Sequence, residues 1–197
     1  MKNFALPALL SAALLSGCAT PAYVSPVEVT RFVGAQPAYL AQGTIQIVPE
    51  PGLAGESLEY GVYRDAVARE LQELGYRVVM VNGSQIAQLS IGQFVTGEND
   101  RRGPVDVGVG GSTGTYGSGL GVGIGFNLGG TPAERIAREM SVSIRAAGGT
   151  QNLWEGRAAM TATANSEYAQ DSDAALRLAD ALFQNFPGQS GETIEVE

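Results

Sequence analysis

The sequence predicts an α+β fold, a two-layer sandwich with two helices on one face of a mainly antiparallel sheet and a Gly-rich β-hairpin besides. Three observations carry this. Two windows, Leu58–Leu74 and Asp171–Phe186, place apolar residues at helical spacing. Several other stretches alternate with the period of two that a half-buried strand requires. Residues 103–130 hold 12 of the 27 glycines, far too many for either element type in its ordinary form. The predicted order, strand, helix, several strands, helix, suits helices segregated to one side of a sheet.

In chain order, Glu28–Val33 alternates weakly and Thr44–Val48 clearly, until Pro49, Pro51, Gly52 and Gly55 stop it. In the first helix Tyr60, Tyr63, Val67, Leu71 and Leu74 share a face. Arg64, Asp65, Arg69, Glu70 and Glu73 are read as opposite or flanking it. Ser57 is a suitable N-cap, with Glu56 and Glu59 near the positive helix end, and Gly75 supplies the stop. Val78–Val81 reads as a strand ended by an Asn82-Gly83 turn, and Gln88–Thr96 as another. Next come two alternating arms, Val105–Val109 and Leu120–Phe126, flanking Gly111–Ser118. Period two sets their apolar residues on one face and their glycines on the other, a long hairpin with one bare face. Met140–Ala146 and Leu153–Ala162 read as strands joined around Gly148-Gly149. The last helix, 171–186, directs Leu178, Leu182, Phe183 and Phe186 inward.

The first seventeen residues read as a leader. A short positive start precedes an apolar run, Phe4–Leu15, whose twelve residues rise about 18 Å as helix, against a hydrocarbon core of about 30 Å. That is the length of a secretory signal, not of a membrane span. It ends in Leu15-Ser16-Gly17-Cys18, which resembles the lipobox of bacterial lipoproteins, with cleavage between Gly17 and Cys18 and acylation of the cysteine. Cys18 is the only cysteine, and an unpaired thiol in an oxidising compartment otherwise lacks a purpose. Ala19 follows, where an aspartate would resemble an inner-membrane retention signal, so the outer membrane is expected. The anticipated organisation is 1–17 signal peptide, 18–27 acylated Cys and tether, and 28–197 a single α+β domain with the hairpin at 103–130. The expected location is the inner leaflet of the outer membrane, facing the periplasm.

Composition then removes most chemistry. The formal charge of −8 and pI near 4.6 argue against nucleic acid as a partner. The sole lysine, Lys2, lies in the leader, and there is no histidine. The expected mature charge is therefore −9, from 11 arginines against 20 acids. Nucleophile–base pairs built on histidine or lysine, Schiff bases, and imidazole or thiolate metal sites have no residues to make them. No cofactor is expected, and catalysis is left only to carboxylates.

From Leu74 onward several separated patches agree in order with a known family. They are Leu74-Gly75-Tyr76-Arg77, the glycine-rich alternating hairpin, Leu153-Trp154-Glu155-Gly156-Arg157, and the C-terminal Ala181-Leu182-Phe183, Phe186-Pro187-Gly188 and Ser190-Gly191-Glu192-Thr193. Together, over roughly 44–196, the chain resembles the bacterial lipoproteins of domain of unknown function 4136. Gln88 departs from that pattern, where an aspartate is common. The resemblance implies a fold and an envelope location but no activity and no catalytic residues.

Candidate sites follow from these readings. Gly108, Gly110, Tyr116, Gly121, Gly123 and Gly125 form the possible interaction surface of the hairpin, since a glycine face admits close backbone approach. That hairpin is read as an extension of the sheet, as a docking or self-association surface, or as one subunit's share of an oligomeric pore. Arg101-Arg102 beside Glu98 and Asp100 reads either as a solvated loop or as a grip for phosphate. Asp171-Ser172-Asp173 reads as a helix cap rather than a metal site. Glu155 and Glu167 are the carboxylates a peptidoglycan hydrolase would use, provided they stand about 5–9.5 Å apart. The expected role is non-enzymatic: an envelope interaction or assembly module with a protein partner, of undetermined oligomeric state. The alternatives are the pore and the hydrolase.

Overall fold

The structure is a computed structural model that describes the backbone of residues 21–96, 105–112, 119–126 and 133–197, and the side chains of 21–95 and 133–197. Elements are numbered in chain order: β1 (Val27–Val33), β2 (Thr44–Pro49), α1 (Leu58–Glu73), β3 (Arg77–Val79), β4 (Gln85–Thr96), β5 (Val105–Ser112), β6 (Gly119–Phe126), β7 (Arg135–Ala146), β8 (Asn152–Thr163), α2 (Asp171–Phe183) and β9 (Glu192–Val196). The chain divides into two compact units, and the larger comprises Ala22–Gly97 with Glu134–Glu197.

Its sheet has seven strands in the order β3-β2-β4-β7-β8-β1-β9. All pairings are antiparallel except those of β2 with β3 and β4, which are parallel. A parallel β2–β3 pair needs a crossover, and α1 provides it. Ser84 closes the path into β4: its Oγ donates to the Thr44 carbonyl (2.8 Å), and its N–H donates to Thr44 Oγ1 (2.9 Å). The predicted α+β sandwich is the observed fold, both helices packing on one face.

That covered face is the core. The alternation seen in sequence sends Val27 and Val29, Ala87 and Leu89, Met140, Val142 and Ile144, and Trp154 and Ala158 toward the helices, all fully buried. They meet Tyr60, Tyr63, Val67 and Leu71 of α1 and Leu178, Leu182 and Phe183 of α2. Trp154 stacks on Phe183 with centroids 5.4 Å apart and tilts against Phe186 at 5.1 Å, while its indole N–H donates to the Pro187 carbonyl (2.9 Å). Gly156 makes this possible, because a Cβ there would run into the Trp154 ring and Leu182.

Helix α1 begins as expected, Ser57 Oγ accepting the Tyr60 N–H at 3.1 Å, and Gly75 ends it at φ +103°. Several expectations need correction. Glu70 is buried on α1, held by Arg69 at 2.7 Å, not part of the solvent face. The strand expected at 78–81 spans Arg77–Val79, leaving Met80 and Val81 exposed. Helix α2 stops at Phe183, because Asn185 takes a left-handed φ of 55° and Pro187 follows. The strand β9 had no sequence counterpart. It pairs with β1 at the sheet edge, where short alternation with two glutamates gives little apolar signal.

In the second unit, β5 and β6 pair antiparallel over eight residues each, and the register sets Val107 opposite Ile124, Val109 opposite Val122, Gly108 opposite Gly123 and Gly110 opposite Gly121. Among the described residues they pair with each other as a sheet of two strands. Tyr116, Arg101-Arg102 and the leader with Gly17 and Cys18 lie outside the described residues.

Candidate functional site

Within the larger unit, the face of the seven-stranded sheet turned away from the two helices carries no helix of its own. The strand residues that alternate with the core are displayed there: Glu28, Thr30 and Phe32 from β1, Gln88 and Ser90 from β4, Ser141 and Ser143 from β7, and Glu155 and Arg157 from β8. With Glu50, which follows β2, they line a depression of about 430 Å³. A second, of about 410 Å³, lies toward the other end of the same face between Tyr23, Ser25, Phe94, Ala137, Glu139 and Thr161, and Glu28 borders both.

The groove is hydroxyl-rich and acidic. Arg157 is tied to Glu139 at 3.2 Å, and Thr30 shares a hydrogen bond with Thr193 of β9 at 2.9 Å. Asn152 donates its side-chain amide to Glu155. Glu28 and Glu50 therefore stand with Glu155 against a single arginine in the first depression. Such a surface offers many hydrogen-bond acceptors and donors on a rigid frame, suited to holding an elongated polar partner.

The sequence-derived carboxylates are not brought together. Glu155 lines the first depression on β8, and Glu167 sits in a 3-10 turn beside Arg177 and Asp180, in another cleft altogether. Asp171 is not a cap, since α2 lacks a side-chain capping bond; its carboxylate instead accepts a hydrogen bond from Arg138 Nη2 at 3.0 Å. Among the described residues there is no group of three or more potential metal ligands.

Two arginines escaped sequence reasoning. Arg31 and Arg138 are each 2 % exposed and lie on the helix-covered face. Arg31 donates to the Ala181 and Leu182 carbonyls at the end of α2 (2.9 and 3.1 Å), satisfying acceptors that the helix leaves open. Desolvation pulls its pKa down, and Glu192 opposes that. Arg138 donates to the Tyr168 and Ala169 carbonyls just before α2. It also faces Tyr63, whose phenol burial pushes up to about 12. A signal was present: Arg31 is in phase with Val27 and Val29, and Arg138 with Met140, Val142 and Ile144. Together they clamp both ends of α2 to the sheet.

No family model matches the chain. It is 27% identical over 216 residues to an uncharacterized protein of Zymomonas mobilis, covering 87% of this chain and 80% of that one. A PDZ domain protein from Parabacteroides distasonis superposes with a TM-score of 0.50 at 12% identity, over 88% of this chain and 38% of that one. The likeness is one of fold, and the chain spans well under half of that protein. A PelC dodecamer from Paraburkholderia phytofirmans gives a TM-score of 0.44 at 10% identity, over 83% and 99% of the two chains.

Proposed function

We propose that this chain is a non-enzymatic lipoprotein of the outer membrane, acylated on Cys18, whose domain works as an interaction or assembly module in the periplasm. The uncovered sheet face carries the reading: a continuous run of two depressions, walled by hydroxyls and carboxylates, with the helices and core all behind it. The lipobox-like Leu15–Cys18 and the patches shared with lipoproteins of domain of unknown function 4136 support the location. The separation of Glu155 from Glu167 into different clefts weighs against the carboxylate hydrolase.

The test is made in cells. Cys18→Ser should leave an unprocessed or soluble protein, and membrane-bound, processed mutant protein would remove the anchor from the proposal. A photo-cross-linker at Ser90 or Ser141 should capture one defined envelope protein, whereas the same probe at Glu73 on the helical layer should not. Release of muropeptides by the purified protein, lost with Glu155→Gln or Glu167→Gln, would establish the hydrolase instead.

A further inference from the structure

The described residues just before β1 do not dangle. Tyr23 N–H donates to Thr163 Oγ1 at 2.9 Å, and the Thr163 N–H donates to the Tyr23 carbonyl at 2.9 Å. Val24 bridges Ala162, and Ser25 exchanges bonds with Thr161. The segment is thus sewn along the end of β8, and only four residues, five Cα-to-Cα steps, separate Cys18 from Tyr23. Fully extended, they reach about 18 Å.

The end of the sheet where this happens also displays exposed apolar side chains. Tyr23, Phe94 and Val95 are 47, 63 and 46 % exposed. Ladder pairings connect them: Phe94 faces Ala137 and Val95 faces Ile136, Thr96 faces Arg135, and Arg135 faces Thr163. The Arg135 guanidinium lies 5.2 Å from the centre of the Tyr23 ring. An aromatic ring with a polar tip, a phenylalanine, a valine and an arginine on one rim make the composition that settles at a lipid headgroup boundary.

We infer that this end of the sheet, at Tyr23, Phe94, Val95 and Arg135, rests on the phospholipid surface that holds the Cys18 acyl chains, so that the domain stands upright on its membrane. This rests on the lipoprotein reading. Acyl chains supply the affinity, and the rim sets the orientation, a second weak contact made effective by a tether too short to allow the domain to tumble away. Exposed Met80 follows Val79 of β3, which is level with Ile86 of β4 through Gln46 and so lies about 26 Å off, eight residues of β4 from Phe94 at strand rise. The groove would run from the membrane outward between them.

The chain is suited to the test, because acylation of its one cysteine leaves an introduced cysteine as the only free thiol. Full-length acylated protein carrying Phe94→Cys, Val95→Cys or Met80→Cys is labelled with an environment-sensitive fluorophore and reconstituted in phosphatidylethanolamine–phosphatidylglycerol vesicles. Labels at 94 and 95 should shift to the blue and be quenched by lipid bearing a spin label near its headgroup, and the label at 80 should do neither. Protein that floats with vesicles while all three labels report water overturns the orientation and leaves the lipoprotein reading intact. Protein that does not float overturns both. A blue shift at 94 and 95 without quenching by lipid means that a protein covers the rim, and overturns the inference as well.

Discussion

The two faces of the seven-stranded sheet are made by the same strands, one residue apart, yet they are chemically opposite. On β7, Met140, Val142 and Ile144 are sealed beneath helices, and Ser141 and Ser143 open onto the groove. On β8, Trp154 is wholly buried and Glu155 beside it is exposed. Burial of apolar area explains the first face, and within the larger unit no described helix packs on the second, which leaves it polar. The lesson concerns where a substitution is felt: stability resides on the covered face, and the recognition proposed above would reside on the other.

The strongest test of that division is Trp154→Ala. It removes a ring that contacts Phe183 and Phe186 and an N–H bond to Pro187, and should cost about 3–5 kcal/mol, read as a shift in the urea midpoint. A loss under 1 kcal/mol on that scale would mean that the aromatic cluster is not the keystone of the covered face.

A pH scan gives the next largest effect. Tyr63 ionises near 10 in the unfolded chain and is pushed up to about 12 in the fold by desolvation, with Arg138 partly opposing. The raised folded value means that its contribution is complete below pH 10 and is lost as pH rises toward 12. The expected decline, of order 2–3 kcal/mol, should flatten in Tyr63→Phe measured over the same range. The burial of Tyr60 and Tyr76 raises their values in the same direction, so some slope should persist.

The smallest expected effect lies on the open face. Ser141→Ala should change unfolding free energy by less than about 0.5 kcal/mol. It should nevertheless weaken cross-linking from a probe at Ser90, since both line the same depression. Equal loss of stability at Ser141 and Trp154 would erase the distinction between the faces.

How legible this was depended on the range of the interaction. Period two on 44–48, 140–146 and 153–162 placed three strands, and local capping by Ser57 and Gly75 framed α1, because these signals sit within a few residues of one another. Arg31, Arg138 and β9 were missed for the opposite reason. Their partners lie at Ala181–Leu182, Tyr168–Asp171 and β1, all distant in sequence. The candidate site suffered most. Glu155 was named, but for hydrolysis with Glu167, whereas its neighbours in the groove come from β1, β4 and β7 and from the segment after β2.

By itself, then, the sequence determined what each strand residue is able to do: alternation sorts side chains, glycine and serine mark helix ends, and the absence of histidine and of any lysine beyond Lys2 limits chemistry. Only the tertiary structure decided which of the two sorted faces the helices would cover. It also decided that the remaining face would gather side chains from five separate stretches into one groove. Strand order is a property of long-range pairing, and no local pattern of residues encodes which strand becomes whose neighbour.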